Sequence, residues 1–346
     1  MKKILVTGGC GYIGGHTIVD LVENGFDVIS IDDLSRGSMR MLEGVQKITG
    51  KPIKNYKVDL CNLEDTEAVF TENPDIVGII HFAAYKSVPE SVNEPLKYFR
   101  NNNNSLVNLL QCAQENKINN FVFSSSCSVY GNPDRLPVDE KFELAEPESP
   151  YARTKQMGEA ICRDFCRPNP DFNVTLLRYF NPVGAHPSVL IGELQEKPEN
   201  LVPVITQTAI GKRPEMQVFG TDYDTRDGSC VRDYIHVSDI DHAHTKALQY
   251  MIEERNTKQC DVFNLGTGNG VTVLELIKAF EKVSGEKLNY KLGPRRAGDV
   301  VAVYADNYKA QALLDWDTKF DLDQMMDTAW RWEQALKKVS ATAQAK

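Results

Sequence analysis

Short apolar runs alternate along the chain with longer stretches in which apolar residues recur every three or four positions. Lys3-Ile4-Leu5-Val6 and Val28-Ile29-Ser30-Ile31 are two such runs. Together with four later runs they predict strands ending at Thr7, Asp32, Asp59, Ala83, Ser125 and Arg178. Between them, Ile18, Val19, Leu21 and Val22 fall at helical spacing, as do stretches over 63–70, 104–115 and 151–165. Runs this short and this continuously apolar read as strands buried on both faces. Repeated strand–helix units predict a parallel sheet with helices on both sides. Beyond Pro182 the alternation is expected to break down. The stretch 187–203, rich in Gly, Pro and Glu, reads as a long loop. A helix is predicted over 202–210, strands over 232–236 and 261–265, and amphipathic helices over 273–283 and 325–336. The small, polar residues after Lys338 are expected to fray.

The first strand-to-helix turn is Thr7-Gly8-Gly9-Cys10-Gly11-Tyr12-Ile13-Gly14. Gly9-x-Gly11-x-x-Gly14 and Gly8-x-x-Gly11-x-x-Gly14 both fit a dinucleotide-binding fingerprint. The glycines permit a tight turn, a close approach of backbone N–H groups to a pyrophosphate, and tight helix–strand packing. The bound anion meets the positive end of the helix dipole. Asp32 follows about 20 residues later at a strand end, where it suits a ribose diol. The expected fold class is therefore α/β: a Rossmann-type, doubly wound parallel sheet with a smaller C-terminal α/β substrate domain. The expected division is 1–181, rejoined by about 232–265, for the nucleotide-binding domain, and 182–231 with 266–346 for the substrate domain.

The 346 residues suit one large domain or two closely joined ones. The formal charge of −9 argues against nucleic acid or a membrane surface as partner. Met1-Lys2-Lys3 leads directly into the first strand, so no signal peptide is expected, and no run is long enough to span a bilayer. The eight cysteines follow no disulfide or metal-ligand spacing, so no metal is expected and the cytoplasm is the expected compartment.

Tyr151 and Lys155 follow Pro150, so they open a helix and share one face at i and i+4. A free phenol titrates at about 10, so a base working at neutral pH needs stabilisation of its phenolate. The ammonium of Lys155 and an oxidised nicotinamide could supply it. Alone, such a pair is common on surface helices. Downstream of a dinucleotide turn, with Ser124-Ser125-Ser126 ending the intervening strand, it reads as a catalytic group. Ser126 is the expected third member, binding the oxygen that Tyr151 deprotonates. Ser124 and Ser125 are expected to point into the sheet or to bond backbone.

Several stretches carry a family resemblance: 81–84 (His-Phe-Ala-Ala), 124–131 (Ser-Ser-Ser-Cys-Ser-Val-Tyr-Gly), 177–187 around Asn181, and 227–236 around Arg232. On these the chain resembles the extended short-chain dehydrogenase/reductase family, over nearly its whole length, and within it the branch that epimerises UDP-hexoses at C4. The resemblance implies NAD as cofactor, bound by Gly8, Gly11, Tyr12, Ile13, Gly14, Asp32, Asp33, Leu34, Ser35, Arg36, Gly37, Asp59, Leu60, Phe82, Ala83, Ala84, Tyr85, Lys86, Asn101, Ser126, Tyr151, Lys155 and Phe180. It implies a UDP-sugar substrate held by Lys86, Ser126, Tyr151, Asn181, Asn200, Leu201, Gln217, Val218, Phe219, Arg232, Arg296, Asp299 and Val303. Arg232 and Arg296 suit a diphosphate, although either alone could be a surface ion pair. A homodimer paired through the helices near 104–115 and 156–165 is also implied. The chain departs from the family pattern at Ala84-Tyr85, where Gly-Leu is expected, in a shortened 187–203 loop, and in the Asn-rich 101–104 stretch. Rival readings are another UDP-sugar epimerase, a sugar-nucleotide dehydratase, and an NAD-binding regulator without turnover. A dehydratase needs an Asp-Glu pair just after the serine of the fifth strand, where Cys127-Ser128 stands.

Overall fold

The computed structural model describes residues 1–195, 197–296 and 299–344; Ala297 and Gly298 of the expected substrate-binding stretch and the last two residues of the tail lie outside the described residues. The six early runs form β1 (Lys3–Thr7), β2 (Asp27–Ile31), β3 (Lys54–Tyr56), β4 (Ile76–His81), β5 (Asn120–Ser124) and β6 (Asn173–Tyr179). A seventh strand, Cys260–Leu265, joins them in one parallel sheet. Its order is Cys260–Leu265, β6, β5, β4, β1, β2, β3. The winding reverses between β1 and β4, so a crevice opens beside β1 at the carboxyl ends of the strands.

Eleven helices are described: α1 (Tyr12–Glu23), α2 (Met39–Thr49), α3 (Leu63–Glu72), α4 (Val88–Asn93), α5 (Pro95–Glu115), α6 (Pro150–Cys166), α7 (Leu201–Ala209), α8 (Val237–Ile252), α9 (Val273–Ser284), α10 (Tyr308–Leu314) and α11 (Leu322–Gln344). The pleat of β1 shows why both faces of the sheet are covered. Ile4 and Val6 join Val19 of α1, Leu42 of α2 and Leu248 of α8 in one core. Leu5, between them, joins Val69 of α3, Leu109 of α5 and Cys162 of α6 in the other. Neighbouring strand residues point to opposite faces, so a strand packed on both sides must be apolar throughout. Each such aliphatic burial stabilises by about 1.5–3 kcal/mol.

The alternation breaks down after Pro182 as expected, with short strands in small separate sheets, and the chain is brought back to the large sheet by α8. Its periodicity is hidden by buried polar residues: Asp239, Asp241, His244 and Thr245 all lie inside. Asp239 accepts from the backbone N–H groups of Lys319 and Phe320, and His244 meets the Ser124 hydroxyl. Polar residues with such partners sit in a core without a large penalty. The residues after Lys338, expected to fray, begin as the last turns of α11, which continues to Gln344.

A smaller unit packs around Ile205, Met216, Val218, Ile277, Phe280, Met326 and Trp330. Its two-stranded parallel sheet pairs Met216–Phe219 with Tyr290–Gly293. Ala310 and Leu314 of α10, with Trp316, pack instead into the core of the large sheet. Among the described residues no helix is long and apolar enough to cross a membrane.

Candidate active site

The glycine turn joins β1 to α1. Gly8 has φ +72°, and a Cβ there would come within 2.9 Å of the Ala83 nitrogen. A Cβ at Gly14 would overlap the Gly8 carbonyl. The turn can therefore fold flat against β4 only with hydrogen at both positions. Gly11 is the N-cap of α1, and no side chain among the described residues caps it. The first N–H groups of α1 thus open toward the crevice.

Asp32 closes β2 at the crevice wall. Its carboxylate accepts from the Cys10 nitrogen at 3.0 Å and the Leu34 nitrogen at 2.9 Å. Burial raises its pKa, and those two N–H groups pull it back. Arg36 does not face Asp32's carboxylate as a partner; its Nη2 meets Glu90 Oε1 at 2.6 Å.

Ser149 caps α6 by accepting from the Ala152 nitrogen, with Pro150 in the first turn. Tyr151 and Lys155 both line the crevice. Lys155 Nζ donates to the Ser124 carbonyl at 2.7 Å and lies 5.9 Å from the centre of the Tyr151 ring. Burial pushes the phenol of Tyr151 up to about 12, and a hydrogen bond with Ser126 draws it down. Burial lowers the ammonium of Lys155 to about 8. The stabilisation expected of the phenolate joins the Lys155 ammonium to an oxidised nicotinamide, and the protein alone supplies only the first. In the protein alone, desolvation disfavours both the phenolate and the ammonium.

The serines of 124–126 separate by role. Ser124 and Ser125 point into the buried layers, and they bond side chains rather than backbone: His244 Nε2 at 3.0 Å and Glu159 Oε1 at 2.7 Å. Ser126 accepts from the Ser128 nitrogen, opening the 3-10 turn Cys127–Tyr130. Glu159 also holds Arg178 through two bonds, 2.7 Å from Nε and 2.6 Å from Nη2, with both side chains buried.

Of the residues assigned to NAD, the crevice is lined by Gly8, Gly11, Tyr12, Ile13, Asp32, Asp33, Ser35, Arg36, Gly37, Asp59, Leu60, Phe82, Ala83, Ala84, Tyr85, Lys86, Asn101, Tyr151 and Lys155. Gly14, Leu34, Ser126 and Phe180 are not among its lining residues. Glu193, Leu194 and Gln195 also line it and were missed by sequence reasoning. They come from the 187–203 loop, tied down by Lys86–Glu193 at 3.1 Å and Ser87–Glu199 at 2.7 Å. The Asn-rich stretch has a structural use as well: Asn102 bonds both backbone groups of Tyr85 and the Thr154 hydroxyl.

A second cavity is lined by Asn181, Asn200, Leu201, Gln217, Val218, Phe219, Arg232, Arg296 and Asp299, nine of the residues assigned to the UDP-sugar. Lys86 and Tyr151 line the crevice instead. Arg296 pairs with Asp299 at 2.7 Å and lies 5.2 Å from the centre of the Phe219 ring. The buried Oδ1 of Asn181 has no hydrogen-bond partner among the described residues. A buried acceptor left unpaired is costly, and a ligand donor would relieve it. Val303 is buried with Val129, Tyr130 and Phe180, next to the Ser126 turn, and pairs in register with Arg232.

A family model described as GDP-mannose 4,6 dehydratase matches residues 5–329. The UDP-glucose 4-epimerase of Bacillus subtilis (strain 168) is 46% identical over 333 residues, 96% of this chain and 97% of that protein. Among solved structures, the UDP-glucose 4-epimerase of Stenotrophomonas maltophila, with bound NAD and formylated UDP-arabinopyranose, superposes with a TM-score of 0.94 at 42% identity, covering 98% of this chain and all of the other. That of Bifidobacterium longum, in complex with NAD+ and UDP, gives 0.91 at 43% identity, covering 96% and 98%.

Proposed function

The chain belongs to the UDP-glucose 4-epimerase family of the extended short-chain dehydrogenase/reductases, and we propose that it interconverts UDP-galactose and UDP-glucose by acting at C4 with NAD held in the β1 crevice. The observation that carries this reading is the placement of Tyr151. Its phenol lines the dinucleotide crevice and bonds Ser126.

The crevice fits NAD on its own geometry. The turn at Gly8 and Gly14 tolerates no side chain, α1 opens uncapped toward the space, and Asp32 stands where a ribose diol needs an acceptor. Asp32 and Asp33 together disfavour a 2′-phosphate, and Arg36 is committed to Glu90. NAD, not NADP, is thus the cofactor. When bound, NAD supplies reversible hydride acceptance at the sugar's C4 and a positive charge near the phenol. Tyr151 Oη takes the proton of the 4-hydroxyl and later returns it. Ser126 Oγ bonds the same sugar oxygen and the phenol. Lys155, pinned by the Ser124 carbonyl, adds positive potential to the site. Arg232 and Arg296 hold the diphosphate, and Asn181 supplies its unpaired acceptor to the substrate. Binding energy placed on the nucleotide, far from C4, lets the 4-keto sugar turn in the cleft without leaving.

The family model's description suggests a dehydratase as the second reading. Eliminating water would need an acid/base carboxyl pair beside Ser126, and Cys127 and Ser128 begin the turn there. The test is a coupled assay for UDP-glucose formed from UDP-galactose by purified protein without added NAD. Turnover, with NAD the main nucleotide released on denaturation, is the expected result. No turnover, or release of NADP, overturns the reading.

Three further assignments belong to this proposal. Residues 1–181 with 232–265 form the NAD unit and 182–231 with 266–346 the UDP-sugar unit, except that α10 and Trp316 join the former on their packing. The protein is a homodimer paired through α5 and α6, which pack side by side and expose Leu96, Val107 and Met157; light scattering that finds only monomer at micromolar protein overturns this. It works in the cytoplasm, in keeping with eight free thiols.

A further inference from the structure

The crevice above the glycine turn has two walls. One is the turn after β2, from Asp32 to Gly37, and the other is the turn after β4, from Phe82 to Ser87. β2 and β4 flank β1 in the sheet. A ligand lying along the Gly8–Gly14 turn therefore lies between these walls.

The walls touch. The Arg36 guanidinium stands 5.5 Å from the centre of the Tyr85 ring, while its Nη2 holds Glu90 of α4. Glu90 also accepts from Lys97 Nζ at 2.7 Å and from the Tyr98 hydroxyl at 2.8 Å. Lys97 Nζ lies 5.1 Å from the same Tyr85 ring. Two cations thus share one ring and one carboxylate. The Tyr85 backbone is fixed at both ends by Asn102, and Ser87, two residues on, donates its N–H to Tyr98 Oη at 3.0 Å. The Arg36 side chain is 60% exposed, so its contacts with Glu90 and the Tyr85 ring compete with water. Tyr85 is also where the chain departs from the family's Gly-Leu.

We propose that Arg36 and Tyr85 form a clasp across the nucleotide crevice, anchored by Glu90, that slows escape of the dinucleotide; this rests on the reading of the crevice as an NAD site. An exposed cation–π contact and an exposed ion pair are each weak. The clasp can open, but while it is closed the two crevice walls are joined. A cofactor restored in each turnover needs no exchange, so slow release costs the reaction nothing.

The test is a chase. Holoenzyme loaded with isotopically labelled NAD is mixed with excess unlabelled NAD, and label remaining on the protein is followed by gel filtration. Tyr85→Leu and Arg36→Ala should each release label about 5-fold to 10-fold faster than wild type. Tyr85→Phe keeps the ring and should release at the wild-type rate. The double variant Arg36→Ala/Tyr85→Leu should release no faster than the faster single variant, because each change opens the same clasp. Thermal midpoints near wild type for the exposed Arg36→Ala separate this from unfolding. Wild-type rates in both single variants, or effects that multiply in the double variant, overturn the clasp. A wild-type protein that retains no label overturns the NAD reading as well, and that failure shows in the wild type alone.

Discussion

Lys155 stands one helical turn beyond Tyr151 on α6, its Nζ 5.9 Å from the centre of the phenol ring and fixed by the Ser124 carbonyl. The ammonium is therefore held by the end of β5 rather than by the hydroxyl that must ionise. The one side-chain hydrogen bond that lowers the phenol comes from Ser126.

The first prediction follows from that bond. Tyr151→Phe should keep the fold and bound NAD but lose about 10² to 10⁴ in turnover, the usual worth of a general base. Ser126→Ala removes an interaction that lowers the phenol's pKa. A base works deprotonated, so the acid limb of the kcat/KM profile should move to higher pH. A limb that stays in place, or moves down, separates Ser126 from the titration of Tyr151.

The second prediction uses the buried ammonium. Lys155 is lowered from 10.5 to about 8 in the fold. Between those values the unfolded chain binds more protons, so this group makes stability rise with pH through that window. Below about 8 it is a full penalty, and above 10.5 it vanishes. Nucleotide-free Lys155→Met lacks this dependence. Its denaturation midpoint should exceed that of wild type at pH 7.5, and the gap should close toward pH 10.5. A gap that stays constant across the window contradicts the assignment.

The third concerns the Glu159–Arg178 pair beneath the serines. Both side chains are almost wholly buried, and Ser125 and Arg163 also bond Glu159. Glu159→Gln leaves Arg178 buried without its charge partner and should cost about 3–5 kcal/mol in urea unfolding. Replacing both, as Glu159→Leu with Arg178→Met, should recover much of that loss, because no lone charge remains. A double variant as unstable as Glu159→Gln would show that packing, not charge, sets the cost.

How far the sequence carries depends on whether a signal is local. The Gly8–Gly14 turn, Asp32, and the Tyr151–Lys155 pair each declare themselves within a few residues, because turn sterics and helical spacing fix them. β1, β2, β4, β5 and β6 read as strands because burial on both faces leaves little room for polar alternation, whereas the edge strand β3 is polar and only partly buried. α8 is harder to read, because its buried face mixes Asp239, Asp241 and His244 with the apolar Ile240, Ala243, Ala247, Leu248 and Met251. Lys86–Glu193 spans 107 residues of sequence and Ser87–Glu199 spans 112, and neither partner has a local cue. The phenol's high pKa is equally hidden, since it depends on how deeply Tyr151 is buried rather than on its spacing from Lys155.

The last prediction concerns the width of the sugar pocket. Val303 forms a short strand opposite Arg232 and is buried with Phe180 and the Val129-Tyr130 end of the Ser126 turn. It is thus joined to Arg232 by strand pairing and packs on the turn that Ser126 opens. On an ungapped match, the family resemblance implies that Val303, four beyond Asp299, lies beside the sugar's 2-substituent. By the same resemblance, a tyrosine at that position implies a pocket confined to plain hexoses, and a small residue one that also admits 2-acetamido sugars. Valine is far smaller than tyrosine, and its branch at Cβ keeps it out of the space it leaves. The wild-type enzyme should therefore epimerise both UDP-galactose and UDP-N-acetylgalactosamine. Val303→Tyr should lose the acetamido activity and keep the hexose activity, because only the larger substrate needs the vacated volume. Parallel kcat/KM measurements on the two substrates decide it. A wild-type enzyme inert toward the acetamido sugar, or a tyrosine variant that still turns it over normally, would show that backbone placement rather than Val303 sets the width.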